Sequence, residues 1–262
     1  MVTHNVTDMM GRSISVSARP LCIISLVPSQ TELLYHLGLN DRVCGITKFC
    51  VHPGEWFRSK TRVGGTKNVN FERIKELHPD LIIANKEEND QAQIEALAKD
   101  YPVWISDIKN MRDALAMIQQ VGALVNNKPK AAELIQTITK GFTDIKRAIT
   151  PTRVAYFIWR NPWMCAGGDT FISNMIENMG WVNVLKDVPR YPEVTLQQIV
   201  TLQPQLVLLS SEPYPFKDQH IAEIKAVLPN ARVQLVDGEM FSWYGSRLIQ
   251  ASRYLGELVE NY

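Results

Sequence analysis

The stretch FERIKELHPDLIIA (residues 71–84) returns 125 residues further along as LQQIVTLQPQLVLL (residues 196–209). Both read apolar-x-x-Ile-x-x-Leu-x-Pro-x-Leu, followed by an apolar run. In each copy the spacing predicts a short helix stopped by proline, Pro79 or Pro204, and then a buried strand. Asn70 can cap the first helix, and Thr195 with Gln198 has the spacing of a capping box for the second. A chain that builds the same helix–Pro–strand unit twice builds two similar substructures.

The sequence around each copy supports this reading. CIISLV (22–27) opens the first half as a short, branched, continuously apolar run, which suits a buried parallel strand. RVAYFIW (153–159) opens the second half in the same way. PSQTELLYHLGL follows the first run, and Ser29 with Glu32 predicts a capped helix that ends at Gly38. ISNMIENMG (172–180) takes the corresponding place later. RVCGIT and VWISD add strands to the first half, and RVQLVD adds one to the second. Strands alternating with helices predict parallel sheets flanked by helices with right-handed crossovers. The expected fold is therefore α/β: two similar lobes bridged by one long rigid helix, with a ligand cleft between them. The expected divisions are an arm at 1–19, an N-terminal lobe at 20–110, a bridging helix at 111–150 and a C-terminal lobe at 151–262. Within the bridge, Lys128 and Pro129 mark a break or a new start, and the second piece is expected to run to about Ala148.

Twenty-eight basic and 27 acidic residues leave a formal net charge of +1, so no basic footprint for nucleic acid exists. The apolar runs are far shorter than a membrane span. The first 20 residues carry neither the basic region nor the apolar core of a signal peptide. Two locations follow: the cell envelope if a leader has been removed, or the cytoplasm. Of the four cysteines, Cys22 and Cys44 lie in apolar strand-like runs and are expected as small buried residues, not a disulfide. No CxxC pair is present, and no three histidines share metal-ligand spacing.

Ligands of open α/β sheets sit beyond the carboxyl ends of the strands. Those ends are the loops at 28–31, 48–53, 85–89, 159–168, 210–216 and 238–247. Four basic residues fall on them, Lys48, Lys86, Arg160 and Arg247, and Lys67 lies on a further expected cleft loop. They suit an anionic ligand such as haem propionates, a ferric catecholate or a phosphate. Glu87, Glu88, Glu212, Asp237 and Glu239 share the loops, so a mixed solvated rim is the other reading. Cys50 and His52 stand at the mouth of the first lobe. His52 is either a ligand to the metal of a haem or corrinoid or a hydrogen-bonded loop residue. AGGDTF (166–171) lacks both GxGxxG and a GK[ST] ending and reads as a tight turn. No GxSxG and no Ser–His–Asp spacing is present, so no catalytic residue is expected.

Taken in order, TDMMGR, IISLVPSQTELLYHLGL, VCGITKFCVHP, VGGTKNVNFERIKELHPDLIIA and VTLQQIVTLQPQLVLLS resemble the helical-backbone solute-binding proteins of ABC importers. The resemblance runs from about Val6 to Leu258 and is nearest to the cobalamin-binding and iron-chelate-binding members. It implies two α/β lobes on one long helix and a cargo that is a metal chelate: cobalamin, a ferric siderophore or haem. In the cobalamin-binding pattern, aromatic side chains pack on the corrin from positions matching Phe49, Lys67, Asn85 and Met240, and only Phe49 keeps a ring. That departure counts against cobalamin held in the same manner. Trp159, Trp163, Trp243 and Tyr244 lie in neighbouring loops and either supply replacement stacking surfaces or pack against the lobes. The pattern also implies docking on a permease through an acid on each lobe. Glu72 matches the first, and the second position is Gln197, which is uncharged. Glu72 has an alternative role as a first-turn acid favoured by the helix dipole.

The expected function is capture of a metal–organic chelate by a monomeric solute-binding protein that hands it to an ABC permease, with no cofactor of its own. A cytosolic chelate-handling protein is the first alternative. The others are an enzyme acting on a corrinoid or tetrapyrrole through Cys50 or His52, and a partner-binding domain with no small ligand.

Overall fold

The computed structural model describes residues 3–147 and 150–262. The first two residues of the predicted arm, and Ala148 at the predicted end of the bridge, lie outside them. The chain divides into two compact units. The first contains the residues up to Ile108, Arg112–Thr137 and Tyr244–Arg247; the second contains Lys109–Met111, Ile138–Trp243 and Leu248–Tyr262.

In the first unit the predicted arm is a hairpin, β1 (Thr3–Thr7) paired antiparallel with β2 (Ser13–Ser17). Its turn is organised by buried Asp8, which pairs with Arg12 at 2.7 Å. The elements that follow are β3 (Ile23–Ser25), α1 (Pro28–His36), β4 (Val43–Ile46), α2 (Gly54–Ser59), β5 (Thr61–Arg62), α3 (Phe71–Leu77), β6 (Leu81–Asn85), α4 (Gln91–Leu97), β7 (Val103–Ser106), α5 (Met111–Leu124), whose first residue counts with the second unit, and α6 (Lys128–Thr143), whose residues from Ile138 on also count with the second unit. The sheet order is β5-β4-β3-β6-β7, with every neighbouring pair parallel. The apolar run that opens this half forms the central strand, and Ile23, Ile24 and Ser25 are fully buried. The hairpin turn reaches the outer strand, where Met9 N–H donates to Ile105 O and Arg12 Nη2 donates to Val103 O.

The second unit contains β8 (Arg153–Trp159), β9 (Met164–Cys165), α7 (Phe171–Asn178), β10 (Val182–Asn183), α8 (Leu196–Leu202), β11 (Leu206–Ser210), α9 (Asp218–Val227), β12 (Arg232–Val236), α10 (Glu239–Ser242) and α11 (Leu248–Glu260). Its sheet runs β10-β8-β11-β12 in parallel, and β9 folds back antiparallel on β8.

The sequence repeat is a conformational repeat. Asn70 Oδ1 accepts from Arg73 N–H at 3.0 Å, and Thr195 Oγ1 accepts from Gln198 N–H at 3.2 Å. The second cap closes into a full box, because Gln198 Oε1 accepts from Thr195 N–H at 2.7 Å. One isoleucine of each helix, Ile74 or Ile199, is completely buried. Both helices end on a left-handed residue, His78 (φ 48°, ψ 57°) and Gln203 (φ 47°, ψ 59°). Proline then turns the chain into β6 or β11.

Three expectations are corrected. First, Cys22 and Cys44 form a disulfide. The two parallel strands β3 and β4 lie side by side and bring these Cα atoms to 5.4 Å, within a disulfide's reach. Second, Ser29 and Glu32 do not cap α1. Pro28 is pre-set for a first helical turn, so the helix starts there with Val27 at the cap and no side-chain cap bond. Third, the second helix of the stretch 111–150 is shorter than expected: α6 begins at Lys128, at the expected break, and stops at Thr143. Asn126 takes a left-handed φ of 58° after α5. The 16 residues of α6 span about 24 Å at the usual helical rise.

Candidate functional site

In the first unit, the loops at the carboxyl ends of β4 and β5 enclose a concavity of about 780 Å³. Lys48 and Phe49 form part of its wall, and the remainder comes from residues 64–72, which include Lys67 and Glu72. The Phe49 ring is half exposed, and the Lys48 ammonium lies 5.1 Å from its centroid. Both side chains lie across Gly65. A Cβ there would meet Phe49 Cε2 at 3.2 Å and Lys48 Cε at 3.4 Å. Gly64 has a φ of 101°, and its would-be Cβ falls 2.5 Å from Asn68 O, so this tight loop requires glycine.

The loop after β5 is tied to the loop after β6. Lys67 Nζ donates to the carbonyls of Glu87 and Asn89, the latter at 3.1 Å. Asn89 Nδ2 donates to Thr66 O at 3.0 Å, and Gln93 Nε2 donates to Lys67 O at 2.8 Å. Asn85 is buried. Its amide donates to Ser106 Oγ at 3.0 Å, and its Oδ1 accepts from Glu87 N–H and Glu88 N–H. The Asn85 side chain thus shapes its own loop, and Lys86 pairs with Asp107 at 2.7 Å.

Cys50 is fully buried beneath the Lys48–Phe49 turn, with Thr31 Oγ1 and Thr47 Oγ1 each 3.1 Å from its sulfur. Burial pushes this thiol up from its ordinary value against the weaker pull of the hydroxyls. The site therefore favours the protonated thiol, not a nucleophilic or metal-binding thiolate. His52 is partly buried and precedes cis-Pro53. Among the described residues no group of three or more His, Cys, Asp or Glu side chains is placed to hold a metal ion.

In the second unit, the loops after β8 and β11 make an aromatic wall. Trp163 stacks on Phe216 at 6.0 Å with an interplanar angle of 7°, and its edge meets Phe157 at 5.3 Å. Trp159 meets Tyr214 edge-on at 5.7 Å and is 39% exposed. Tyr214 and Phe216 come from a loop whose alternating prolines and aromatics, EPYPF, are the signal for this wall. Sequence reasoning passed over both residues. Arg160 lies over Trp163 and pairs with Glu223 at 2.6 Å.

Met240 and Trp243 are buried. Glu212 Oε1 accepts from Ser242 Oγ at 2.8 Å and from Trp243 Nε1 at 3.0 Å. Burial is the main cause of a raised Glu212 pKa, with the Glu239 and Asp237 carboxylates adding to it. Tyr244 and Arg247 are buried in a segment that belongs to the first unit, where Arg247 Nε donates to Glu32 Oε2 at 3.0 Å.

The structure thus brings Lys48, Phe49, Lys67 and Glu72 to one concavity, and Trp159, Arg160 and Trp163 to one wall. Met240, Trp243, Tyr244 and Arg247 are packed inside. Glu72 and Gln197 are both exposed and are the second residues of α3 and α8, the same position in each repeat.

Each of the two α/β units thus presents aromatic and polar side chains beyond the carboxyl ends of a parallel sheet, where open α/β sheets bind small ligands. The sequence profile of periplasmic binding proteins matches residues 23–230, and the chain belongs to that family. It is 28% identical to an uncharacterized ABC transporter substrate-binding lipoprotein of Bacillus subtilis, over 97% of this chain and 84% of the relative. It is 27% identical to a vitamin B12-binding protein of Pectobacterium carotovorum, over 91% of this chain and 88% of that one. Among solved structures, a petrobactin-binding protein of Bacillus subtilis aligns with a TM-score of 0.84 over 99% of both chains. At 16% identity that likeness is one of fold.

Proposed function

We propose that this protein is the solute-binding component of an ABC importer and that its cargo is a metal–organic chelate: a corrinoid, a ferric siderophore or a haem. The observation that carries the reading is the concavity beyond β4 and β5, about 780 Å³ in volume, with the half-exposed Phe49 ring on its wall. That volume falls within the range of small-molecule sites, and a half-exposed ring offers a preformed apolar face to a flat ligand. The vitamin B12-binding relative, matched over most of both chains, supports cargo of this class.

Each described side chain has a part in this reading. Phe49 supplies the stacking face, and Lys67 with Asn85 and Asn89 holds the two flanking loops rigid. Glu72 is the permease-docking acid, at the exposed start of α3, while Gln197 supplies a hydrogen-bonding group without charge at the matching start of α8. The Cys22–Cys44 disulfide supports a place in the oxidising cell envelope.

A binding titration tests the proposal. Purified protein is titrated with cyanocobalamin, cobinamide, haemin and a set of ferric siderophores while tryptophan fluorescence and the visible spectrum are followed. Saturable binding of one member at micromolar concentration or below is expected, with Phe49→Ala weakening it at least about tenfold. Absence of binding across the panel would refute the chelate reading.

A further inference from the structure

The basic residues on the strand-end loops differ in what neutralises them. Lys86 is paired with Asp107, Arg160 with Glu223 and Arg247 with Glu32. Lys67 is not paired with a carboxylate, but its ammonium is satisfied by two backbone carbonyls. Lys48 is the exception. Among the described residues its ammonium has neither a carboxylate partner nor a hydrogen-bond acceptor, and its one partner is the Phe49 ring, 5.1 Å away.

Position makes this charge informative. The Lys48 stem and the Phe49 ring share the floor provided by Gly65, so the cation and the ring are presented together. A flat cargo that covers Phe49 must also take the neighbouring ammonium partly out of water. Desolvating an ammonium is costly unless an anion replaces the lost water. The concavity as a whole carries two ammonium groups, Lys48 and Lys67, against one carboxylate, Glu72. Neutral cargo meets a penalty there, and acidic cargo gains a charge-assisted hydrogen bond.

We infer that the cargo is an anionic chelate, whose planar or apolar face rests on Phe49 and whose acidic periphery is met by Lys48. This rests on the chelate-binding reading and narrows it to acidic members: a metallated tetrapyrrole bearing free carboxylates, or a ferric complex with net negative charge.

The test uses chelates matched in shape and unequal in charge: haemin with its dimethyl ester, cyanocobalamin with its monocarboxylic acids, and a ferric catecholate with a neutral ferric hydroxamate. Within the series that binds, the acidic member is expected to bind at least about tenfold more tightly than the neutral one. Raising salt from about 50 to about 500 mM should shrink that advantage. Lys48→Gln should remove it, weakening the acidic member and leaving the neutral member bound at least as tightly as before, and Lys48→Arg should keep it. Equal binding of both members, or an advantage that survives Lys48→Gln, would overturn the inference and leave the chelate reading standing. No binding by any member would overturn both.

Discussion

Arg247→Met should destabilise the protein severely although Arg247 is remote in sequence from its partner. Arg247 Nε donates to Glu32 Oε2 at 3.0 Å, and the two side chains are only 7% and 16% exposed. Methionine keeps most of the arginine stem, so the main loss is the charge. What remains is a carboxylate on α1, largely out of water and without its guanidinium. Breaking a buried pair on one side costs about 3–5 kcal/mol. For a protein of this size 1 kcal/mol moves the thermal midpoint by about 2–4 °C, so a fall of at least about 6 °C is expected. Urea unfolding of wild type, Glu32→Gln, Arg247→Met and the double variant closes a mutant cycle. The double variant should be much less damaged than the sum of the singles, because a neutral amide beside a thioether leaves no buried charge. A loss below about 1 kcal/mol for Arg247→Met, or singles that add to within about 0.5 kcal/mol, would refute the reasoning.

Other outcomes follow from the same packing. Burial raises the Glu212 pKa above its ordinary 4.5, so the folded state holds that proton longer than the unfolded chain. Its contribution is therefore favourable at low pH and is lost as pH rises from about 4.5 through the folded-state pKa. Glu212→Gln should flatten that fall relative to wild type in urea midpoints taken across the window, and parallel curves would contradict the assignment. Ellman titration of the unreduced protein should find no reactive thiol in the native state and two after denaturation, Cys50 and Cys165, rising to four only after reduction. Closing a loop of 22 residues, the disulfide should contribute about 3 kcal/mol, read as the drop in urea midpoint on reduction. His78→Gly and Gln203→Gly should each stabilise slightly, by about 0.5–1 kcal/mol, because both positions are left-handed. Destabilisation by either would show that the native side chain contributes more than its strain costs.

What the sequence disclosed was what local chemistry decides. The helices at 71–77 and 196–202 were legible because Asn70, Thr195 and Gln198 cap within four residues and proline stops the chain soon after. β8 was legible because an apolar run six long, residues 154–159 between Arg153 and Arg160, has few other uses. The left-handed ends at His78 and Gln203 were not, since no glycine announces them and the proline that follows supplies the constraint. α1 shows local signals in conflict. Pro28 and a Ser29–Glu32 box both predict a helix start, and the pre-set φ of the proline places it at Pro28.

The candidate site was legible in its loops and not in its side-chain directions. Cleft position on the strand ends applied equally to Lys48 and to Asn85, yet one is exposed and the other ties down its own loop. The aromatic count of the 238–247 loop gave no sign that Trp243 would turn inward to Glu212. The Cys22–Cys44 bond depended on two strands becoming neighbours, which strand order alone determines. Such pairings join residues far apart in the chain and leave no periodicity to read.

The most direct test of the central claim is hydrogen–deuterium exchange with and without the chelate that titrates. Slowed exchange is expected at residues 47–53 and 64–70, where Phe49 and Lys48 meet the cargo. Protection confined to other segments, with residues 47–53 and 64–70 exchanging as in the free protein, would contradict the claim.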